Sequence, residues 1–373
     1  MQRKVLFVAT VDKGHILKFH VPYLKYFKEK GYEVHVACSG NADIPFCDKK
    51  HELPFERSPY KFSNITAYKA LKKIIETTHF DLIHCHTPMG GVIGRLAARS
   101  ARKKGTKVLY TAHGFHFFSG ASTLNWLIYF PIEKYLSSYT DCLITINNED
   151  YNLAREKFNS PQVELVHGVG VDLNRFTPQS FEEKVKLRSS YGYNEEDFIL
   201  MYTAELNHNK HQDLLIEAIN LLRGEIPNIK LLLAGEGVMA AEYRGLSERL
   251  DVNSLIDFLG HRKDIPELLK LSDIAVSASR REGLPVNIME AMATGLPIVA
   301  TNSRGNRDLV KHNENGFIVS LNDPQEFCSK IKELYKNDSL RKKFGKKNVV
   351  NSKTYSLQNI ILEMDRIYSR HLQ

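Results

Sequence analysis

Short apolar runs alternate with amphipathic stretches along the whole chain. In the first half the runs are Val5–Ala9, Val34–Cys38, Asp81–Cys85, Val108–Thr111 and Cys142–Ile146. Continuous runs of this length suit a parallel sheet, because helices cover both of its faces. Helical spacing appears between them, at His20–Glu29 and Ala67–Glu76. The second half repeats the pattern at Ile199–Thr203, Lys230–Ala234, Ile256–Leu259, Ile274–Ser277 and Pro297–Ala300, with helical stretches at Asp213–Arg223, Pro266–Leu271 and Asn287–Ala293. The pattern predicts an α/β chain of two doubly wound, Rossmann-like domains, residues 1–172 and 173–355, linked through 169–178. Ser356–Leu372 sets Leu357, Ile360, Ile361, Met364 and Ile367 on one helical face. This last helix, within 356–373, packs on its own domain or crosses back to the first. Two such domains facing each other would leave a central cleft at the carboxyl ends of both sheets, where open α/β folds bind ligands.

A length of 373 residues fits two domains. No apolar run is long enough to cross a bilayer. Met1-Gln2-Arg3-Lys4 leads straight into Val5–Ala9 without a cleavage pattern, so a buried first strand is expected rather than a signal peptide. Five scattered cysteines read as reduced core residues of a cytoplasmic protein. Of the formal charge of +8, residues 1–172 carry +7 and the remainder +1. The basic half suits a membrane surface, a diphosphate-bearing lipid or a nucleic acid, or it serves solubility alone. No recognised nucleic-acid module accompanies it, so no nucleic-acid partner is expected. Phe115–Leu136 is rich in aromatics and is interrupted by Pro131. It reads either as a wedge at the membrane interface or as a core helix. The run Arg341–Lys347 reads as a solvated helix face.

The chemistry concentrates in Ser279–Pro297. This segment leaves a strand, turns through Gly283 and Pro285, and becomes helical. Unpaired amides at such a turn form an anion site suited to a diphosphate. Glu282 before the turn can accept from sugar hydroxyls, and Glu290 inside the helix from a ribose diol. Their plain alternative is a charged helix start and a solvated face. Gly235-Glu236-Gly237-Val238-Met239-Ala240 fits a dinucleotide fingerprint, with Asp257 downstream, but a single match of this kind is weak. His84-x-His86 and His113-x-x-His116 lack a third metal ligand at convincing spacing, and no Asp-x-Asp pair is present. No metal or other cofactor is therefore expected.

Glu282-x7-Glu290, with Glu-Gly-Leu-Pro, Glu-Ala-Met-Ala and Gly-Leu-Pro-Ile-Val-Ala around it, resembles the retaining GT-B glycosyltransferases of family 4. The resemblance extends over nearly the whole chain. Ala112–Phe117 and Ala204–Lys210 are similar to the branch that builds capsule or exopolysaccharide. It implies that Glu282 binds donor-sugar hydroxyls, Glu290 the ribose, and the amides around Gly283, Leu284 and Val286 the diphosphate or sugar. Lys210 would neutralise the leaving diphosphate, His113 would stand near the reacting sugar carbon, Gly14 would approach the phosphates, and the turn at Gly235 and Gly237 would lie beside the nucleotide. Taken singly, Lys210 could be a surface lysine, His113 a satisfied core histidine and Gly14 a turn former.

Two departures stand out. Glu205 occupies the donor-side position where the family usually has arginine, and it either orients Lys210 or leaves the charge to Arg280 or Arg281. The first loop, Asp12-Lys13-Gly14, lacks the usual paired glycines. The expected activity is transfer of a hexose or N-acetylhexosamine from a nucleotide sugar, UDP-linked in the first instance. The expected acceptor is an undecaprenyl-diphosphate-linked saccharide at the inner membrane surface. A UDP-sugar 2-epimerase and a non-catalytic sugar-nucleotide scaffold are the rival readings.

Overall fold

The computed structural model describes residues 2–178 and 180–372; Met1 and Gln373, at the outer ends of the expected domains, and Gln179 lie outside the described residues. The chain divides into two compact units, Met1–Val169 with Ile360–Gln373, and Gly170–Asn359.

The first unit holds a seven-stranded sheet in the order β3-β2-β1-β4-β5-β6-β7. Its strands are β1 (Lys4–Val11), β2 (Glu33–Ser39), β3 (Lys49–Glu52), β4 (Leu82–His86), β5 (Lys107–Ala112), β6 (Cys142–Thr145) and β7 (Gln162–Leu165). The second unit holds β8 (Phe198–Thr203), β9 (Ile229–Ala234), β10 (Ile256–Gly260), β11 (Ile274–Ser277), β12 (Ile298–Thr301) and β13 (Gly316–Val319), ordered β10-β9-β8-β11-β12-β13. All ladders between these strands are parallel. Each sheet reverses its winding once, between β1 and β4 in the first and between β8 and β11 in the second. Crevices at such switch points are where doubly wound sheets take ligands.

The apolar runs became the central strands because both of their faces are covered. Val5, Leu6, Phe7 and Val8 are fully buried, and so are Leu231 and Leu232. From Ile360 onward the final helix, Leu357–His371, belongs to the first unit and lines its core. Ile360, Met364, Ile367 and Tyr368 pack beneath Val5, Phe7 and Leu24. The Tyr368 hydroxyl meets His84 Nδ1 at 2.8 Å, and Glu363 holds His167 Nδ1 at 2.7 Å.

The aromatic segment serves two environments. Phe115 and Phe117 are buried, and Trp126 and Phe130 pack against the same core. The helix Thr123–Ser137 is pinned inward by Glu133, which pairs with the fully buried Arg95 at 2.8 Å. The Arg95 guanidinium also lies 3.9 Å from the Tyr110 ring centre. Leu124, Leu127, Ile128, Ile132 and Tyr135 remain on the outward side. No helix among the described residues is long and apolar enough to cross a membrane.

Ile360→Ala is expected to destabilise the first unit by about 2–4 kcal/mol, because it opens a cavity in a closed core. Leu362→Ala, at a half-exposed position of the same helix, should stay within about 0.5 kcal/mol. Urea unfolding of both variants checks how the last helix packs; equal effects would place it elsewhere.

Candidate functional site

In the second unit the loops after β8 and β11 leave the sheet side by side, and their hydrogen bonds stitch them together. Tyr202, at the end of β8, donates its hydroxyl to the Lys210 carbonyl at 3.0 Å and meets the Ser279 hydroxyl at 2.8 Å. Asn209 donates to the Arg281 carbonyl at 3.0 Å, and the Arg280 amide donates to the Asn209 carbonyl at 2.8 Å. Across this seam the Lys210 ammonium donates to the Glu282 carboxylate in a short contact. Both side chains are largely enclosed. Burial pulls the Lys210 ammonium down, but Glu282 and then Tyr202 outweigh it, so its pKa stands above the ordinary lysine value.

Beyond Glu282 the chain passes Gly283 and Leu284 and enters the helix Val286–Ala293 after Pro285. The amides of Gly283, Leu284 and Val286 donate to no acceptor among the described residues, as expected where a helix begins. Glu290 lies about one turn in and is partly buried. Asn287 fixes the helix start to the sheet by donating to the Thr203 carbonyl at 3.0 Å. The buried Arg304 donates Nε to the Glu282 carbonyl at 3.0 Å. Asn287 and Arg304 escaped the sequence reading, because nothing in their spacing shows that they brace this turn.

Glu205 is exposed, and its side chain makes no hydrogen bond to Lys210 among the described residues. It acts on Lys210 only as a weak, more distant charge. Arg280 points its guanidinium at the His211 ring instead, at 2.8 Å from Nδ1. Gly235 and Gly237 have a packing reason for being glycine. A Cβ on Gly235 would stand 2.0 Å from the Ala204 carbonyl oxygen, and one on Gly237 would stand 2.2 Å from that of Leu206. They let the loop after β9 lie against the loop carrying Glu205 and Lys210. Asp257, the acidic partner in the dinucleotide alternative, is engaged by the Tyr193 hydroxyl at 2.9 Å.

Gly14 and His113 lie in the first unit. Gly14 sits inside a π-helix, Asp12–His20, that follows β1 directly. Pro22 follows at the first turn of the α-helix Val21–Glu29. A proline there has no amide to bond back, and its ring crowds the preceding turn, which favours the wider winding. Asp12 anchors the start. It is buried and accepts from the Ala42 amide at 2.8 Å and from Lys50 at 3.1 Å. His113 follows β5, and it meets His15 edge-on with ring centres 4.8 Å apart. His20 and His86 complete a group with these two. Burial lowers all four. It holds His113 at about 4, and His15 at about 2 with added repulsion from His113 and Arg57. His20 and His86 lie well below the ordinary histidine value. Of the histidine pairs noted in the sequence, His86 and His113 thus converge. His84 instead bonds Tyr368 and Thr111, each at 2.8 Å, and His116 packs on Tyr129.

The family model described as Glycosyl transferases group 1 matches residues 183–349, and that described as Glycosyl transferase 4-like matches residues 4–147. EpsD of Bacillus subtilis (strain 168), named as a glycosyltransferase, is 47% identical over 373 residues, covering 100% of this chain and 98% of its own. The chain belongs to the GT-B glycosyltransferases of the family 4 type. An Escherichia coli relative of this glycosyltransferase is 32% identical over 72% of this chain and 69% of its own; it is named UDP-Gal:alpha-D-GlcNAc-diphosphoundecaprenol alpha-1,3-galactosyltransferase. The capsular polysaccharide biosynthesis glycosyltransferase CapM of Staphylococcus aureus is 23% identical over 100% of this chain and 98% of its own. The crystal structure of Anabaena HepE in complex with UDP and glucose shares the fold with a TM-score of 0.82 at 20% identity, covering 99% of this chain and all of that one.

A double-mutant cycle on Lys210→Met and Glu282→Gln should give a coupling of about 1–3 kcal/mol in denaturant unfolding without ligand. The folded-state pKa of Lys210 is raised. The coupling is therefore complete below the unfolded lysine value of about 10.4 and is lost as pH rises through the folded value. Additive single effects at pH 8 would show that the pair contributes nothing.

Proposed function

We propose that this glycosyltransferase moves a hexose or N-acetylhexosamine from a UDP-sugar to a saccharide carried on undecaprenyl diphosphate, with retention of anomeric configuration. The observation that carries the reading is the Lys210–Glu282 pair at the switch point of the second sheet, beside the unpartnered amides of Gly283, Leu284 and Val286. Without ligand each charge holds the other. A nucleotide sugar brings a diphosphate for Lys210 and hydroxyls for Glu282, so each charge exchanges its partner for a substrate group. As the bond from the anomeric carbon to the diphosphate breaks, negative charge grows on the leaving oxygen. A fixed ammonium there, with aligned amides, stabilises that charge.

Glu290 takes the ribose, and the turn at Gly235 and Gly237 flanks the nucleotide. His113 and Gly14 keep the roles that the family resemblance gives them, at the sugar and the phosphates. The acceptor hydroxyl attacks on the face from which the diphosphate departs and passes its proton to it. The names of the Escherichia coli relative and of the HepE complex support UDP and a polyprenyl diphosphate acceptor. Lysine and amides already meet the diphosphate charge, so the transfer needs no bridging metal.

The outward face of the helix Thr123–Ser137, with Leu127 70% exposed, supports a peripheral seat on the cytoplasmic side of the membrane, where the acceptor lipid resides. Burying a leucine at the interface contributes about 1.5–3 kcal/mol.

UDP should raise the melting temperature of the purified chain. Lys210→Ala should cost about 100- to 1000-fold in turnover. NMR of the product from an α-linked donor should show an α-linkage. A β-linkage would overturn retention, and donor turnover without acceptor would favour the epimerase. Donor binding without transfer to any lipid acceptor would favour the scaffold. Activity that EDTA abolishes and manganese restores would overturn the metal-free diphosphate site. Leu127→Ser should weaken co-sedimentation with anionic vesicles about tenfold; unchanged binding would remove this helix from the membrane contact.

A further inference from the structure

Four histidines far apart in sequence converge at the carboxyl end of the first sheet, beside its switch point. His15 and His20 come from the π-helix after β1, His86 ends β4, and His113 follows β5. One ring nitrogen from each lies within 4.8 Å of those of the other three. The π-helix accounts for the first two. Its bonds span five residues, so positions 15 and 20 stand over each other. Their Nε2 atoms are 3.0 Å apart.

No carboxylate belongs to the cluster. His20 Nδ1, both ring nitrogens of His86 and His113 Nε2 are buried and find no hydrogen-bond partner among the described residues. A cavity of about 10 Å³ adjoins them, lined in part by His20, His86 and His113, which is room for one water-sized sphere.

We propose that His15, His20, His86 and His113 form a four-nitrogen site for a divalent transition metal of the zinc class. Neutral imidazoles are the ligand form such an ion needs, and burial keeps these rings neutral. An all-imidazole set selects zinc or its late first-row neighbours over magnesium, calcium and manganese, which prefer oxygen. Tetrahedral zinc bound at about 2.0–2.1 Å separates its ligand nitrogens by about 3.4 Å. The 3.0 Å pair is close to that spacing, and binding would draw the wider pairs, which lie within 4.8 Å, closer together. The ion would fasten the π-helix, and Gly14 with it, to the ends of β4 and β5. It would also fix the His113 ring.

The untagged full-length chain, stripped with EDTA and dialysed, is titrated with zinc chloride in the absence of donor. Metal content and melting temperature are read, and cobalt(II) replaces zinc as an optical probe. One zinc per chain, a raised melting temperature and the intense visible bands of tetrahedral cobalt are expected. The variant His15→Gln/His20→Gln should weaken binding by more than about 100-fold, beyond the loss from altering an outer-shell partner. His116→Gln, outside the cluster, should leave it unchanged. His15 is partly exposed, so His15→Gln alone tests the site if the double variant fails to fold. Wild type without stoichiometric zinc, or variants that bind as wild type does, would overturn the proposal. None of these readings depends on UDP binding or sugar transfer.

Discussion

Parallel pairing governs both halves of this molecule. A parallel strand cannot turn back through a hairpin, so each must be followed by a crossover to the opposite end of the sheet. All loops that leave strand carboxyl ends therefore gather along one edge. At the switch point two neighbouring loops diverge to opposite faces and open a crevice between them. In the second unit that constraint brings Lys210 to Glu282, 72 residues away in sequence. In the first unit it brings the end of β1 to the ends of β4 and β5.

The contact between the loops after β8 and β11 rests on small residues and neutral hydrogen bonds as much as on charge. Gly235 and Gly237 permit the backbones to touch, and Tyr202, Asn209 and Asn287 fix the seam. Only with the backbone held can the lysine–glutamate pair act as a preorganised site. An ion pair between two mobile loops would lose most of its value to side-chain entropy and solvent. Glu282 keeps Lys210 charged despite its enclosure, and that enclosure makes the ammonium effective toward a diphosphate, since a charge acts more strongly where water is excluded.

The central strands and the 279–297 segment were legible in the sequence because each has a local signature. Two-sided burial writes a continuous apolar run, and Glu282-x7-Glu290 sits on a strand–turn–helix. Two strands that left no such signature, β3 and β7, lie at sheet edges. Lys49-Lys50-His51-Glu52 is only half-covered and needs no apolar run. The covering of Ile360 and Met364 was not legible either, since an amphipathic stripe states that it must be buried but not against what. Arg304 shows the same limit, since it reaches the Glu282 carbonyl from the start of the helix after β12, a neighbour defined by strand order and not by spacing.

The histidines show most clearly why a spacing rule for metal ligands fails in such folds. Spacing detects ligands on one helix or one hairpin, whereas here three strand ends contribute. The energetic argument nevertheless bears on them. An unsatisfied buried polar atom costs about 1–3 kcal/mol, and a domain is stable by only about 5–15 kcal/mol. Four such nitrogens in one cluster would consume much of that margin. A π-helix adds to the burden, because its winding is rare and is retained mainly where a site requires it. Apolar side chains at positions 20 and 86 would remove the cost if the cluster served packing alone. That the chain places imidazoles there, unpaired with any carboxylate, is coherent only if something outside the polypeptide completes them.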